Sequence, residues 1–357
     1  MPSRDEGDQS VATTVIGLDL GTTRARAVEV QQNRGGPTVL RYAEAPLPLG
    51  AIQDGEVTEP DGVVAALRAM WAQAKFSHRD VVLGVGNQRV LVRNLDLPWM
   101  PMPQLRSSLP FQVQDSLPVA VEDALLDFYP TAEFQAQGGR TVQGLLVAAT
   151  RDTVNANVAA AESAGLRPLV VDLNSFALLR SQMLGEFSTR RVALVDIGAR
   201  ITNVVVADHG RPRLVRTLPA GGAHLTDAIA AELGVSAGEA EAIKRQVGVG
   251  FAVSPDMQAA ADVVNHVTQN LVESIRNTLV YYASNHPGGA AELVLLTGGG
   301  SYLNGLGQYL SSASRLPVRI GDVMTGVAVA KSAHLAPLAG AESTLAVPLG
   351  LALAVAA

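Results

Sequence analysis

The chain has 357 residues, 48% of them apolar, a net charge of −6 and no cysteine. That excludes disulfides and thiolate metal sites, and the lack of any Lys/Arg cluster interleaved with aromatics argues against a nucleic-acid partner. A chain of this length buries roughly 75% of its unfolded surface and as a rule divides into two domains.

The opening residues, MPSRDEGDQS, are polar and acidic. Residues 1–13 are therefore read as a disordered tail, neither signal peptide nor membrane anchor. Residues 15–30, VIGLDLGTTRARAVEV, then predict two β-strands joined by a tight turn. Val15, Ile16, Leu18 and Leu20 bring the chain up out of a buried sheet, so the carboxylate of Asp19 sits where the strand reaches an opening, and it needs a partner there. Gly21 leaves no side chain between backbone and ligand. Thr22 and Thr23 add N–H groups and hydroxyls that suit phosphate oxygens. Asp19 is then placed to hold the water shell of a magnesium ion.

Apolar residues at 63, 64, 67, 70, 71 and 74 give residues 60–76 a helical face, with Thr58 near the predicted start, and residues 81–85 read as a buried strand. From Gly86 to Gly165 the character changes. A strand at 89–97 is followed by prolines at 98, 101, 103, 110 and 118 around a helix-like LRSSL, strands at 123–134 and 141–149, and a helix at 152–164. This predicts an α+β subdomain, 86–165, inserted in a first lobe made of residues 14–85 and 166–190. Trp99, Met100 and Met102 in its Pro-rich corner either face a partner or plug the corner. A strand at 169–173 and a helix at 175–184 return the chain to the first lobe.

Residues 192–206, VALVDIGARITNVVV, repeat the first hairpin with Asp196 and Gly198 at the bend and Thr202 offering a hydroxyl to phosphate. Two such hairpins half a chain apart predict related lobes that present phosphate turns to a shared cleft. The second lobe, 191–357, includes an upper helical part, 220–288. There Gly221 and Gly222 open a helix, Ser236 and Glu239 form a capping box, and Glu241 and Lys244 share one face of the helix that follows. A long helix covers 255–285. The strand 292–297 then delivers Gly298, Gly299 and Gly300, whose bare backbone admits a flat purine, and a helix from Tyr302 points its N-terminus at a phosphate. After a strand at 315–322, residues 345–357 predict a final helix, too short to span a bilayer, that packs back on the first lobe.

Two Asp-x-Gly hairpins, the Ala-Glu-x-x-Lys helix at 240–244 and the late Gly-Gly-Gly-Ser-x-Leu turn resemble the actin-like ATPase superfamily. Within it the chain is similar to the FtsA/PilM group, whose PilM members serve type IV pilus assembly, from residue 14 to the C-terminus. The resemblance implies an α/β fold of two lobes, each with a ribonuclease-H-like mixed sheet, and a nucleotide cleft between them. It implies ATP or ADP with Mg2+ held through Asp19 and Asp196, with Gly21, Thr22, Thr23, Arg26, Gly198 and Thr202 near the phosphates. Glu241 and Lys244 match residues that contact ribose and adenine, and Gly298, Gly299, Gly300 and Leu303 complete the site. Arg26 stands where relatives carry lysine, a rigid fork in place of a point charge. Asn174 falls where chaperone-type ATPases place a glutamate, so fast hydrolysis is not expected.

The same resemblance implies a cytoplasmic scaffold, peripheral to the inner face of the membrane, whose first lobe and insertion take the N-terminal tail of a PilN-like membrane protein, an extended segment with an Asn-Leu-Leu-Pro core. The apolar C-terminal run has no charged face for a lipid surface, so recruitment is expected through that partner and not by direct insertion. The sequence leaves a homo-oligomer open. It also leaves two other readings, a small-molecule kinase with Asp172 as base and an FtsA-like filament former.

Overall fold

The computed structural model describes residues 13–354 other than 34, 332, 334, 336 and 337. The predicted tail, apart from Thr13, and the last three residues of the predicted final helix lie outside the described residues. Strands β1 (Thr13–Leu20), β2 (Arg24–Gln32) and β3 (Thr38–Pro46) form an antiparallel meander. Short β4 (Ile52–Gln53) and β5 (Glu56–Val57) lead into α1 (Pro60–Ala74), which returns the chain to β6 (Asp80–Val85), parallel to β1. Proline at the first turn of α1 supplies a preset φ where no N–H partner exists. Thr58 does not cap this helix: its hydroxyl donates to Gly50 O at 2.7 Å, and Glu59 holds the cap position.

The segment between β6 and the rest of the first sheet builds β7 (Val90–Pro98), α2 (Met102–Val113), β8 (Ala124–Ala136) and β9 (Gly139–Thr150), a separate antiparallel sheet in the order β7-β9-β8. Leu105, Leu109 and Val113 of α2 bury against Phe128, Val142 and Leu146. Met100 and Met102 pack on that cluster, whereas Trp99 remains 41% exposed with the Arg140 guanidinium 4.2 Å from its ring centre. Helix α3 (Arg151–Ser163) buries Ala160 and Ala161 with Val63, Leu67 and Met70 of α1. Strand β10 (Arg167–Leu173) then pairs with β6, and α4 (Asn174–Gln182) crosses to the second half.

There the pattern repeats. β11 (Arg191–Ile197), β12 (Thr202–Asp208) and β13 (Arg211–Leu218) form a meander, α5 (Gly222–Leu233), α6 (Ala237–Val247) and α7 (Gln258–Asn285) form a helical layer, and β14 (Leu293–Thr297) pairs parallel to β11. The predicted capping box is present: Ser236 Oγ accepts from Glu239 N at 3.3 Å and Ser236 N donates to Glu239 Oε2 at 2.9 Å. After α8 (Leu306–Ser314) the strand expected over 315–322 is limited to β15 (Val318–Ile320). The two large sheets run β10-β6-β1-β2-β3 and β15-β14-β11-β12-β13, the same connectivity read in sequence order. One strand breaks the lobe boundary: β16 (Ala328–Val329), from the second half, pairs parallel with β3.

The last helix, α9 (Ala346–Ala352), has no exposed residue and lies with α4 between the two sheets. Val28, Val30 and Val39 of the first sheet, Leu178 and Leu179 of α4, Val192, Leu194 and Val205 of the second sheet, and Leu349 of α9 form one continuous core beneath the lobes. Burial of so many aliphatic side chains, each contributing about 1.5–3 kcal/mol, fixes the lobes on a common floor. The three-stranded sheet also rests on both halves: Tyr129 meets the Phe176 ring of α4 at 5.3 Å, and Arg211 of β13 donates to Thr131 O at 3.4 Å. Among the described residues no helix is long and apolar enough to cross a membrane.

Candidate functional site

Both hairpins close by the same turn, Gly21 N donating to Arg24 O at 3.1 Å and Gly198 N to Ile201 O at 2.9 Å. Strand register extends the likeness, since Asp19 pairs across from Arg26 and Asp196 across from Asn203. Side chains alternate along a strand, so these pairs face the gap between the lobes while Leu20, Ala25, Ile197 and Thr202 face the other way. That corrects the expectation for Thr202. It is fully buried and donates to Ala220 O at 2.7 Å, bracing the hairpin against the segment before α5.

Asp19 is only 9% exposed, and its carboxylate accepts no hydrogen bond among the described residues. Burial lifts its pKa to about 6, with the Arg26 guanidinium pulling it down and the Asp196 carboxylate pushing it up. Burial likewise raises Asp196, against the Thr297 hydroxyl that donates to its Oδ1 at 2.8 Å and against Arg26. Asp19, Arg26 and Asp196 thus come together at one gap. Thr22 is half-buried at the first turn and Thr23 is exposed at its tip, where its carbonyl accepts from Leu47 N at 2.9 Å.

The glycine turn after β14 abuts the second acid. Gly298 takes a φ of 79°, and a Cβ there would lie 2.9 Å from Asp196 Oδ1 and 2.5 Å from Ile197 O, so only glycine fits. At Gly300 a Cβ would lie 2.3 Å from Ile197 Cγ2, whereas at Gly299 it meets nothing within 4 Å and the backbone is open. Gly222, at the start of α5, is the meeting point: its Cβ would lie 3.6 Å from Lys244 Nζ, 3.8 Å from Gly198 O and 3.9 Å from Gly300 Cα. The structure therefore gathers Gly198, Gly222, Gly300 and Lys244 on one wall.

Lys244 Nζ donates to Gly222 O and Thr226 Oγ1, both at 3.0 Å, and to Glu241 Oε2 at 2.5 Å. Glu241 also accepts from Thr226 at 2.7 Å and from Arg245 at 2.9 Å. Partial burial pushes the Glu241 carboxyl up, and the Lys244 and Thr226 bonds more than reverse it, leaving it below its ordinary value. Leu303 is half-buried at the seam between the α7/α8 and α5/α6 clusters. The helix expected from Tyr302 starts instead at Leu306. Residues 299–302 form a single 3-10 turn, and the Tyr302 hydroxyl accepts from Ser343 N at 3.2 Å, which holds that residue in the loop.

Two further residues bear on alternative chemistry. Asp172 is ion-paired with Arg180 and accepts from Leu173 N at 2.7 Å, so it is not a free base. Asn174 Oδ1 is buried beside Gly84 and Gly86, without a partner among the described residues. Thr297, Thr226, Asn203 and Gly222 were not singled out from the sequence as site residues. Counting seven residues from each hairpin aspartate identifies Asn203 as the counterpart of Arg26. The other three are visible only once the second lobe is folded.

Among the described residues no group of three or more His, Cys, Asp or Glu side chains can hold a metal by itself. A buried and a half-buried carboxylate beside open glycine backbone suit a cation that brings its own oxygen ligands, as magnesium on a phosphate chain does.

A family model described as Type IV pilus assembly protein PilM matches residues 17–356. The chain is similar to a solved structure, the PilM-PilN type IV pilus biogenesis complex, with 29% identity, a TM-score of 0.84, and coverage of 95% of this chain and 97% of that one. MreB5 of Spiroplasma citri, solved with AMPPNP, shares the fold with a TM-score of 0.54 at 12% identity over 94% of each chain. Cell division protein FtsA of Bacillus subtilis (strain 168) is 22% identical over 258 residues, 65% of this chain, and the match spans only 58% of that protein's length. The duplicated sheets with their antiparallel meanders are those of an actin-like ATPase fold. With the model covering nearly all of it, the chain belongs to the PilM family of type IV pilus assembly proteins.

Proposed function

We propose that the chain is a nucleotide-loaded scaffold of the pilus assembly complex, holding ATP and magnesium between its lobes and presenting its first lobe and insertion to the tail of a PilN-like membrane protein. The observation that carries this reading is the meeting of Asp19 and Asp196 at one gap, half a chain apart in sequence. In it, Asp19 and Asp196 order the waters of the magnesium ion, the N–H groups around Thr22, Thr23 and Gly299 receive phosphate oxygens, and Lys244 and Glu241 orient the ribose and purine. The AMPPNP of the MreB5 structure supports a nucleotide in a cleft of this fold. Hydrolysis is at most slow, because the carboxamide of Asn174 takes no proton from water.

The partner surface is proposed at β10. This strand is the outer member of its sheet, with Leu169, Val170 and Val171 exposed at 69%, 43% and 39%. Consecutive apolar residues on an unpaired edge suit an extended apolar peptide that adds a strand and places alternate side chains toward the β7-β9-β8 sheet. Attachment to the cytoplasmic face of the membrane then comes through the partner.

Calorimetric titration of the purified chain with MgATP, and with a peptide of the partner's tail, tests both parts. Low-micromolar binding of each is expected, and an inert result for both removes the proposal. Lys244→Met leaves Gly222 O without its cationic donor and Glu241 with Arg245 as its remaining cation, and is expected to weaken MgATP about tenfold, since charge-assisted hydrogen bonds contribute about 1.5–3 kcal/mol. Unchanged affinity in a folded variant assigns the Glu241–Lys244 pair to structure alone.

A further inference from the structure

Arg26 is the cation whose charge acts on both acids, and where it stands its guanidinium meets Tyr42 and Glu44. Its side chain is 18% exposed and among the described residues makes a single ion pair, Nε to Glu44 Oε2 at 3.4 Å. That carboxylate is already served by Arg24 Nη1 at 2.6 Å and by the Tyr42 hydroxyl at 2.8 Å. Among the described residues Arg26 Nε is buried without a hydrogen-bond acceptor, an arrangement that costs free energy unless the group has another use. Register places Asp19, Arg26 and Glu44 in one row across β1, β2 and β3. A Cβ built on Gly21 would lie 3.9 Å from Arg26 Nη1 and 4.0 Å from Asp19 Oδ2, so guanidinium and carboxylate both border the open hairpin turn. The corresponding position of the second hairpin is Asn203, which is neutral and occupied by Thr217 and Ser175. One guanidinium therefore serves a buried and a half-buried carboxylate, with no ion pair to either among the described residues.

We propose that in the nucleotide-free chain Arg26 takes the place of the divalent cation, neutralising Asp19 and Asp196 together, and that an arriving metal nucleotide turns it from Glu44 onto the phosphates. The inference rests on the nucleotide reading above and adds to it an order of events. Bare metal is kept out by a resident positive charge, so metal enters only with the polyphosphate that gives Arg26 somewhere to go. Glu44 stays paired when Arg26 leaves, because Arg24 and Tyr42 remain on it.

The test is manganese binding to nucleotide-free protein at pH 8, followed by electron paramagnetic resonance, with MgATP titrated separately. Arg26→Gln, or Arg26→Met should glutamine not fold, is expected to open a manganese site at least about tenfold tighter than the wild type and to weaken MgATP about tenfold. Arg26→Lys keeps a charge and is expected to exclude manganese as the wild type does. Arg24→Gln, at an exposed position, leaves Arg26 in place and is expected to exclude manganese as the wild type does. Equal manganese affinity in wild type and the folded neutral variant overturns the inference, as does tight manganese binding by the wild type. A wild type that ignores MgATP instead sinks the nucleotide reading and leaves the manganese comparison standing.

Discussion

Asp19→Asn is expected to give a chain that is more stable than the wild type at pH 7.5 and that no longer takes up magnesium nucleotide. The carboxyl of Asp19 titrates near pH 6 in the folded chain against an ordinary value of 3.8. Below pH 3.8 it is protonated in both folded and unfolded chains and has no effect. As pH rises toward 6 the unfolded chain gives up the proton while the folded chain keeps it, so stability is lost across that window and stays lost above it. Two pKa units correspond to about 3 kcal/mol, a large share of the 5–15 kcal/mol typical of a folded domain. The amide removes this penalty and with it the anchor for the cation. Urea unfolding of both proteins from pH 4.5 to 8 should show the stability of the variant gaining on that of the wild type as pH rises through 6. MgATP affinity should fall at least about a hundredfold, the value of a lost buried charge contact. A variant that follows the wild-type pH curve and still binds nucleotide contradicts the site as described.

Gly350→Ala is expected to damage the whole molecule without touching the cleft. A Cβ at that position would lie 1.8 Å from Ala177 O and 2.4 Å from Ala177 C, both backbone atoms of the facing helix α4. No rotamer change relieves such a contact, so α9 and α4 must separate within a layer packed from both sides by the large sheets. Overpacking costs about 1–3 kcal/mol where side chains can move, and the upper end or more is expected here. Gly17 makes the same demand from the other side, where a Cβ would lie 2.2 Å from Pro348 O. The control is Gly299→Ala, whose added methyl meets no atom within 4 Å and whose stability should be unchanged while nucleotide binding weakens. Equilibrium unfolding separates the two glycines. A fully stable Gly350→Ala protein would show that the helices are not in backbone contact.

The local elements were legible because local rules set them. Alternating and 3.6-residue periods gave the strands and most helices, the Ser236/Glu239 pattern gave the start of α6, and repetition of the Asp-x-Gly turn announced the duplicated sheet. Where the reading slipped, the cause was a face or a partner. Thr202 is one residue from the cleft-facing position, and a strand's period of two turns a one-residue difference into opposite sides of the sheet. The helix expected from Tyr302 starts at Leu306 because the Tyr302 hydroxyl is held by Ser343, 41 residues later. The base assigned to a kinase reading, Asp172, is consumed by Arg180 one helix away.

By itself, then, the sequence determined where most strands and helices lie, which two acids interrupt apolar strands, and which turns must be glycine, since each depends on neighbours within a few positions. The tertiary structure alone decided that Arg26 lies between the charge of the two acids and Glu44, that β16 joins the first sheet, and that α9 lies buried between the lobes. These depend on contacts tens to hundreds of residues apart, whose energies come from burial and charge in a low-dielectric interior, and no local period records them.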